Sequence, residues 1–346
     1  MIKHLFILSL VITFLSCKTA QPASNAPESF SLSIIPMEGK SIRALEVLND
    51  STLFFAANDG QIGLSTDSGA TWRFDQVSFE GKTPAFRATG YNSKVLFLLS
   101  IENPALLYRF DGKKPELVYT ERHPDVFYDA MHFFDEQYGI ALGDPIDGCF
   151  SIIRTSDGGA SWQKLGCENL PPSIAGEAAF AASNSNLAIQ GSKVWFATGG
   201  AVSRVFYSGD RGLHWKVVET PVISGGKMTG IYSIDFYNDK IGMVIGGDWE
   251  EKSGNRANKA VTLDGGKTWE LVADGEGASY KSCVRFVPGG GGRKIIAVGT
   301  TGISYSNDQG KTWQTIHEQG FYTIRFASKN LAYLAGENKI GQLKLP

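Results

Sequence analysis

From residue 30 onward the chain alternates short apolar runs with turns rich in Gly, Asp, Asn and Ser. The clearest stretch runs Ile231-Tyr232-Ser233-Ile234-Asp235-Phe236, then Ile241 to Gly246, Ala260 to Leu263 and Trp269 to Val272. Each run has strand length, is bounded by turn residues and is rich in β-branched and aromatic side chains, the pattern of strands buried on one or both faces. No amphipathic helical period of useful length follows the N-terminal segment. The sequence therefore predicts an all-β chain of small sheets. Each has an inner strand, a strand ending in Gly, a strand entering a tight turn and an outer strand.

One motif punctuates these sheets. Ser/Thr-x-Asp-x-Gly-x-x-Trp occurs at Ser65 to Trp72, Thr155 to Trp162, Ser208 to Trp215, Thr262 to Trp269 and Ser306 to Trp313. Its chemistry is that of a β-hairpin turn: the carboxylates of Asp67, Asp157, Asp210, Asp264 and Asp308 accept backbone N–H groups, Gly supplies a left-handed φ, and Trp fills the space below. Five copies in register mark a repeat fold.

The motif resembles the Asp-box, or bacterial neuraminidase repeat, and that resemblance implies a β-propeller with the boxes on its outer rim. The five Asp residues are accordingly expected to be structural. The box Trp residues at 72, 162, 215, 269 and 313 leave one double-length interval. A degenerate repeat is expected there, with Leu106 to Tyr119 folding as a hairpin around Asp111-Gly112. Strands from Phe321 to Ala327, Asn330 to Gly336 and Ile340 to Leu345 follow the last box, and Phe30 to Ile35 alternates like the strand they lack. Seven blades are expected, with six as the alternative, and a ring closed by the N-terminal strand, which leaves no free edge.

The ends divide the chain into a signal peptide (1–17), a flexible tether (18–28) and a single propeller domain (29–346). Met1-Ile2-Lys3-His4 precedes an apolar run, Leu5 to Leu15, too short to span a bilayer. Phe14-Leu15-Ser16-Cys17 resembles a bacterial lipobox, which implies lipidation of Cys17 and a lipid-anchored protein of the bacterial cell envelope, periplasmic or at the outer membrane. Lys18 to Glu28 reads as the tether. A net charge of −2 argues against nucleic acid, and leaves the anchor as the sole membrane contact. The chain is expected to act as a monomer. Cys149 and Cys167 flank one box almost symmetrically and are expected to form a disulfide, since opposed hairpin strands bring Cβ atoms into range. Cys283 is expected in the core. Cys and His spacings match no metal site, and no cofactor motif is present.

Aligning the inner strands puts Arg43, Arg87, His132, Ala179, Asp235, Arg285 and Arg325 at one register of the channel. Four Arg side chains on one layer need either carboxylate partners or an anionic ligand. Their forked donors suit acidic groups. Asp129, Asp144, Asp147, Glu177, Arg204 and Asp248-Trp249-Glu250 are further candidates on the loops.

The wording of the repeat extends beyond the box. Phe236 to Gly247, with Phe, an acidic turn and Gly-x-x-x-Gly, recurs at Phe133 to Gly143. This is similar to the photosystem II stability/assembly factor-like family of propellers, which implies a non-catalytic scaffold with an arginine patch. The partner would be an acidic envelope or membrane protein, or an acidic glycan. Arg43, Arg87, Arg285 and Arg325 would carry recognition, with His132 and Asp235 completing the ring. The alternative is a glycoside hydrolase, either sialidase-like with Arg43, Arg285 and Arg325 as a carboxylate clamp, or inverting with two of Asp129, Asp144, Asp147, Glu177 and Asp235.

Overall fold

The computed structural model describes residues 29–346; the expected signal peptide, Cys17 and tether lie outside the described residues. All regular structure among them is antiparallel β, apart from one 3-10 turn at Cys167–Asn169. Repeat five shows the order read from the sequence: Thr229–Phe236 pairs with Gly242–Asp248, which pairs with Lys259–Thr262, then Glu270–Leu271. The degenerate repeat two is also a sheet, with Ala105–Phe110 and Pro115–Glu121 joined at Asp111-Gly112.

The strands hydrogen-bond into six sheets, the number given above as the alternative, rather than seven separate ones. The reason is the strand Ser31–Val47. Its first part, 31–36, pairs with Leu331–Lys344, and its last part, 42–47, pairs with Leu53–Ala57 of repeat one. The closing strands and repeat one therefore form one continuous six-stranded sheet. Ser31↔Lys344 and Leu32↔Leu343 join the two ends of the described chain, which closes the ring as expected. Innermost strands touch in circular order: 42–47, Phe86–Tyr91, Tyr128–Phe133, Leu187–Gln190, Thr229–Phe236, Cys283–Phe286, Thr323–Ser328, and back to the first.

The boxes tie each repeat to the one before it. In the first, Ser65 Oγ donates to Asp67 Oδ1 (2.8 Å), Thr71 N–H donates to the same oxygen (2.8 Å), and Gly69 N–H donates to Ser65 Oγ (2.9 Å). Four further copies repeat this geometry around Asp157, Asp210, Asp264 and Asp308. The box glycine lies against the preceding repeat. At Gly159 φ is +85°, and a Cβ would stand 2.2 Å from Phe97 Cζ in repeat two. No other residue fits there. Beneath the same box, Trp162 meets Phe97 and Phe133 edge-on.

Cys149 and Cys167 are joined in a disulfide, with Cα atoms 5.6 Å apart. The geometry differs from two opposed strands. Cys149 opens its strand, but the partner strand ends at Lys164, and Cys167 reaches across from the 3-10 turn. Cys283 is buried in the core, free of any disulfide.

Candidate functional site

The channel is filled by the chain itself. Ser183, Asn184, Ser185 and Asn186 are fully buried on the axis, inserted ahead of the inner strand of repeat four. Buried polar groups need partners; the surrounding chain supplies them for Ser183, Asn184 and Ser185, while the Asn186 side-chain amide has none. Asn184 Nδ2 donates to Thr89 O (2.8 Å), and Met131 N–H donates to Asn184 Oδ1 (2.9 Å). Ser183 Oγ donates to Ser282 O (2.7 Å), Ser185 Oγ meets Ser233 Oγ (2.7 Å), and Thr323 Oγ1 donates to Ser183 O (3.0 Å). This plug replaces the expected placement of Ala179 on the channel register. The inner strand of repeat four is Leu187–Gln190, and Ala179 lies in the segment leading to the plug. A Ser-Asn-Ser-Asn run carries no signal that distant inner strands will bond to it.

The plug also divides the four Arg residues, which do not share one layer. Arg43 and Arg87 sit at bulges near the starts of their strands, between Ile42 and Ala44 and between Phe86 and Ala88. Ladder register matches Glu46, rather than Arg43, to His132, Asp235 and Arg285. The bulges shift the Arg side chains out of that layer.

Below the plug, Arg325 donates through Nη2 to Ser183 O and Asn184 O (3.1 and 2.9 Å) and through Nη1 to Thr323 Oγ1 (2.7 Å). Arg285 is paired with Asp235 at 3.1 Å, and Asp235 Oδ2 also accepts Phe286 N–H. His132 Nε2 donates to Asn184 O (3.1 Å); burial and then the nearby Arg285 and Arg325 push its pKa well down, so the ring is neutral. Glu46 Oε1 accepts from Thr89 Oγ1 (3.0 Å), and burial raises its pKa. Glu46, His132, Asp235 and Arg285 line a polar depression of about 380 Å³ at the C-terminal ends of the inner strands.

At the opposite ends lies a larger cavity of about 710 Å³, lined by Arg43, Arg87, Asp144 and Lys227 together with Phe127, Phe180, Tyr232, Trp249 and Tyr280. Arg43 Nη1 donates to Ala182 O (3.1 Å), and its guanidinium lies 3.9 Å over the Tyr322 ring. Burial and then the neighbouring Arg87 lower its pKa. Arg87 makes no hydrogen bond or ion pair among the described residues; the Phe127 ring lies 6.0 Å away. Asp144 Oδ1 accepts Ala179 N–H (2.8 Å), and burial raises its pKa to about 6. Asp129 is fully buried behind it, with neither oxygen hydrogen-bonded. Burial, then Asp144, push its pKa well up, and Arg87 partly offsets them.

The remaining candidates are engaged elsewhere. Glu177 is buried and holds Arg204 through two hydrogen bonds, Nε to Oε1 (2.9 Å) and Nη2 to Oε2 (2.5 Å), so both are spent on each other. Asp147 is exposed at a hairpin turn with φ +54°. Asp248 caps its own turn by accepting Glu250 N–H (2.8 Å), and Glu250 is exposed. A sialidase-like clamp of Arg43, Arg285 and Arg325 is not assembled, since the first opens on one mouth and the others belong to the plug and the other mouth. The aromatic wall was missed in the sequence, except for Trp249; Tyr232 and Tyr280 look like ordinary strand residues there. Among the described residues no group of three or more His, Cys, Asp or Glu could hold a metal ion.

Residues 304–315 match the BNR/Asp-box repeat family. No curated protein matches the chain. Solved structures similar to it include YCF48 bound to D1 peptide, with 13% identity, 91% of this chain and 96% of that chain covered, and a TM-score of 0.63. YCF48 from Cyanidioschyzon merolae has 14% identity, 91% and 98% coverage and a TM-score of 0.60. The WD40 β-propeller domain of Doa1 has 12% identity, 92% and 97% coverage and a TM-score of 0.59. The chain thus folds as a β-propeller that carries Asp-box repeats, similar in fold to YCF48.

Proposed function

We propose that this protein is a non-catalytic binding propeller, anchored at a bacterial envelope through Cys17, that holds an acidic segment of a partner protein at the Arg43–Arg87 mouth. The observation that carries this reading is Arg87. Its guanidinium faces a cavity with every donor free, beside a second guanidinium and the exposed Lys227. Like charges gathered against an apolar wall are unfavourable alone, and an incoming carboxylate compensates them with bidentate, charge-assisted hydrogen bonds. A propeller of similar fold has been described bound to a peptide, which supports a protein segment over a glycan here.

Glycoside hydrolysis finds less support. It needs two carboxyl groups across the scissile bond. Asp144 and Glu177 are the carboxylates among the described lining residues, and Glu177 is tied to Arg204. The test is cross-linked capture from envelope membranes, comparing wild type with Arg87→Glu. A defined membrane-protein partner captured by wild type and lost in the variant is expected. Equal capture by both would remove this mouth from recognition.

A further inference from the structure

The cavity has two chemically different halves, and the second is not explained by charge. Opposite the guanidinium groups, Phe180 and Tyr232 stack with ring centroids 4.1 Å apart and planes 12° from parallel. Tyr280 meets Tyr232 edge-on at 4.9 Å, and Trp249 meets Tyr280 edge-on at 5.5 Å. All four line the same cavity. Tyr232 Oη donates to Met228 O (2.7 Å), which fixes that ring. Tyr280 differs: it is fully buried, yet its hydroxyl has no hydrogen-bond partner. That hydroxyl is enclosed rather than open to the cavity, so Tyr280 supports the wall from within. Arg43 lines the same cavity, its guanidinium 3.9 Å over the Tyr322 ring.

A wall of rigid aromatic rings with a polar handle favours a planar apolar group, held offset or edge-on. At about 710 Å³ the cavity is far larger than one carboxylate needs. We propose that this mouth reads a two-part motif in the captured segment: an Asp or Glu carboxylate on Arg87 and Arg43, and an adjacent aromatic side chain seated against Trp249 and Phe180, with the buried Tyr232 and Tyr280 packed against those two rings. The inference rests on the function proposed above and adds the specificity. Trp249 is the specificity-determining residue of the aromatic half, because it is half-buried on the loop after Gly242–Asp248, while Tyr232 and Tyr280 are buried.

Three end-capped ten-residue peptides of Gly and Ser, carrying Asp-Phe, Asp-Ala or Asn-Phe at the centre, are titrated calorimetrically into the wild-type protein and into Trp249→Ala. The Asp-Phe peptide is expected to bind wild type roughly tenfold tighter than either of the others. In Trp249→Ala the advantage of Phe over Ala should shrink below about threefold, while the advantage of Asp over Asn remains. Equal binding of Asp-Phe and Asp-Ala to wild type, both above Asn-Phe, would overturn the aromatic half and leave the acidic reading standing. Binding of none of the three would overturn both. The wild-type series decides the question even if the variant folds poorly.

Discussion

Arg325 grips Asn184: its Nη2 donates to the Asn184 carbonyl oxygen at 2.9 Å, 141 residues away in the chain, and to that of Ser183 at 3.1 Å. This contact makes Arg325 an internal strut, while Arg87, which looks equivalent in the sequence, faces an open cavity and makes no hydrogen bond or ion pair among the described residues. One residue type thus does two jobs on either side of one plug.

Arg325→Ala should destabilise the protein by about 3 kcal/mol, because it leaves buried carbonyl oxygens without their charged donor. Arg87→Ala should stay within about 0.5 kcal/mol of wild type, having no intramolecular bond to lose. Urea denaturation midpoints compared at equal slope give both numbers. A loss at Arg87 as large as at Arg325 would make it a strut as well.

The plug-side carboxyl pair should give a pH signature. Asp144 has its pKa raised from 3.8 to about 6 by burial. Between those values the folded state holds a proton that the unfolded chain has released. The contribution to stability is therefore complete below about pH 4 and is lost as pH rises through about 6. Asp144→Asn keeps an acceptor for Ala179 N–H and carries no charge. It should be more stable than wild type at pH 8 by on the order of 2 kcal/mol, with little difference at pH 4. Asp144 also helps raise the pKa of Asp129, so the apparent midpoint belongs to the pair. The same protonation makes the cavity more positive, so affinity for an acidic peptide should rise as pH falls through about 6. Thermal unfolding and peptide titration at pH 4, 6 and 8 check both signs.

The rim boxes respond in the opposite direction. Burial is the largest single influence and opposes it, but the donors from Ser161, Thr155 and the Ala160 backbone together hold Asp157 down at about 2. Its contribution is present above about pH 4 and is lost as pH falls through about 2. Asp157→Ala should cost about 1–2 kcal/mol at pH 7 by stranding those donors. Gly159→Ala should cost more than that, because a Cβ meets Phe97 at a left-handed φ. Chemical denaturation of the two variants side by side tests that order.

Closing Cys149 to Cys167 spans 18 positions of sequence around the third box. By loop entropy alone such a link contributes about 3 kcal/mol. Reduction should lower the unfolding midpoint accordingly, and intact mass under non-reducing conditions should show two fewer hydrogens than after reduction.

The rim of this fold was legible in the sequence because its chemistry is local. Asp67 and Thr71 are four residues apart, and the motif that joins them names both the turn and the sheet it closes. The degenerate hairpin at Asp111-Gly112 could be read for the same reason; the strand joining the two ends, a long-range pairing, was read from its own alternation and from the edge the last sheet would otherwise leave free. The axis was not legible. Nothing near Asn184 announces Thr89 or Met131 as partners, and a one-residue bulge at Arg43 is invisible in an alternation pattern. Register errors of that size move a side chain to another layer, which is why Arg43 and Arg87 lie at one mouth, apart from Arg285 at the other and Arg325 on the plug. The fusion of the first and last sheets has a similar cause: Ser31–Val47 runs on through the point where two blades were expected to part.

The central claim is that recognition resides at Arg87 and Arg43, above the plug. The most direct measurement is the affinity of the capped Asp-Phe peptide for wild type, for Arg87→Glu and for Glu46→Gln, which alters the opposite mouth. Arg87→Glu is expected to lose at least tenfold, with an unchanged unfolding midpoint, and Glu46→Gln to keep wild-type affinity. Equal affinity in wild type and Arg87→Glu, or a loss confined to Glu46→Gln, would contradict that claim.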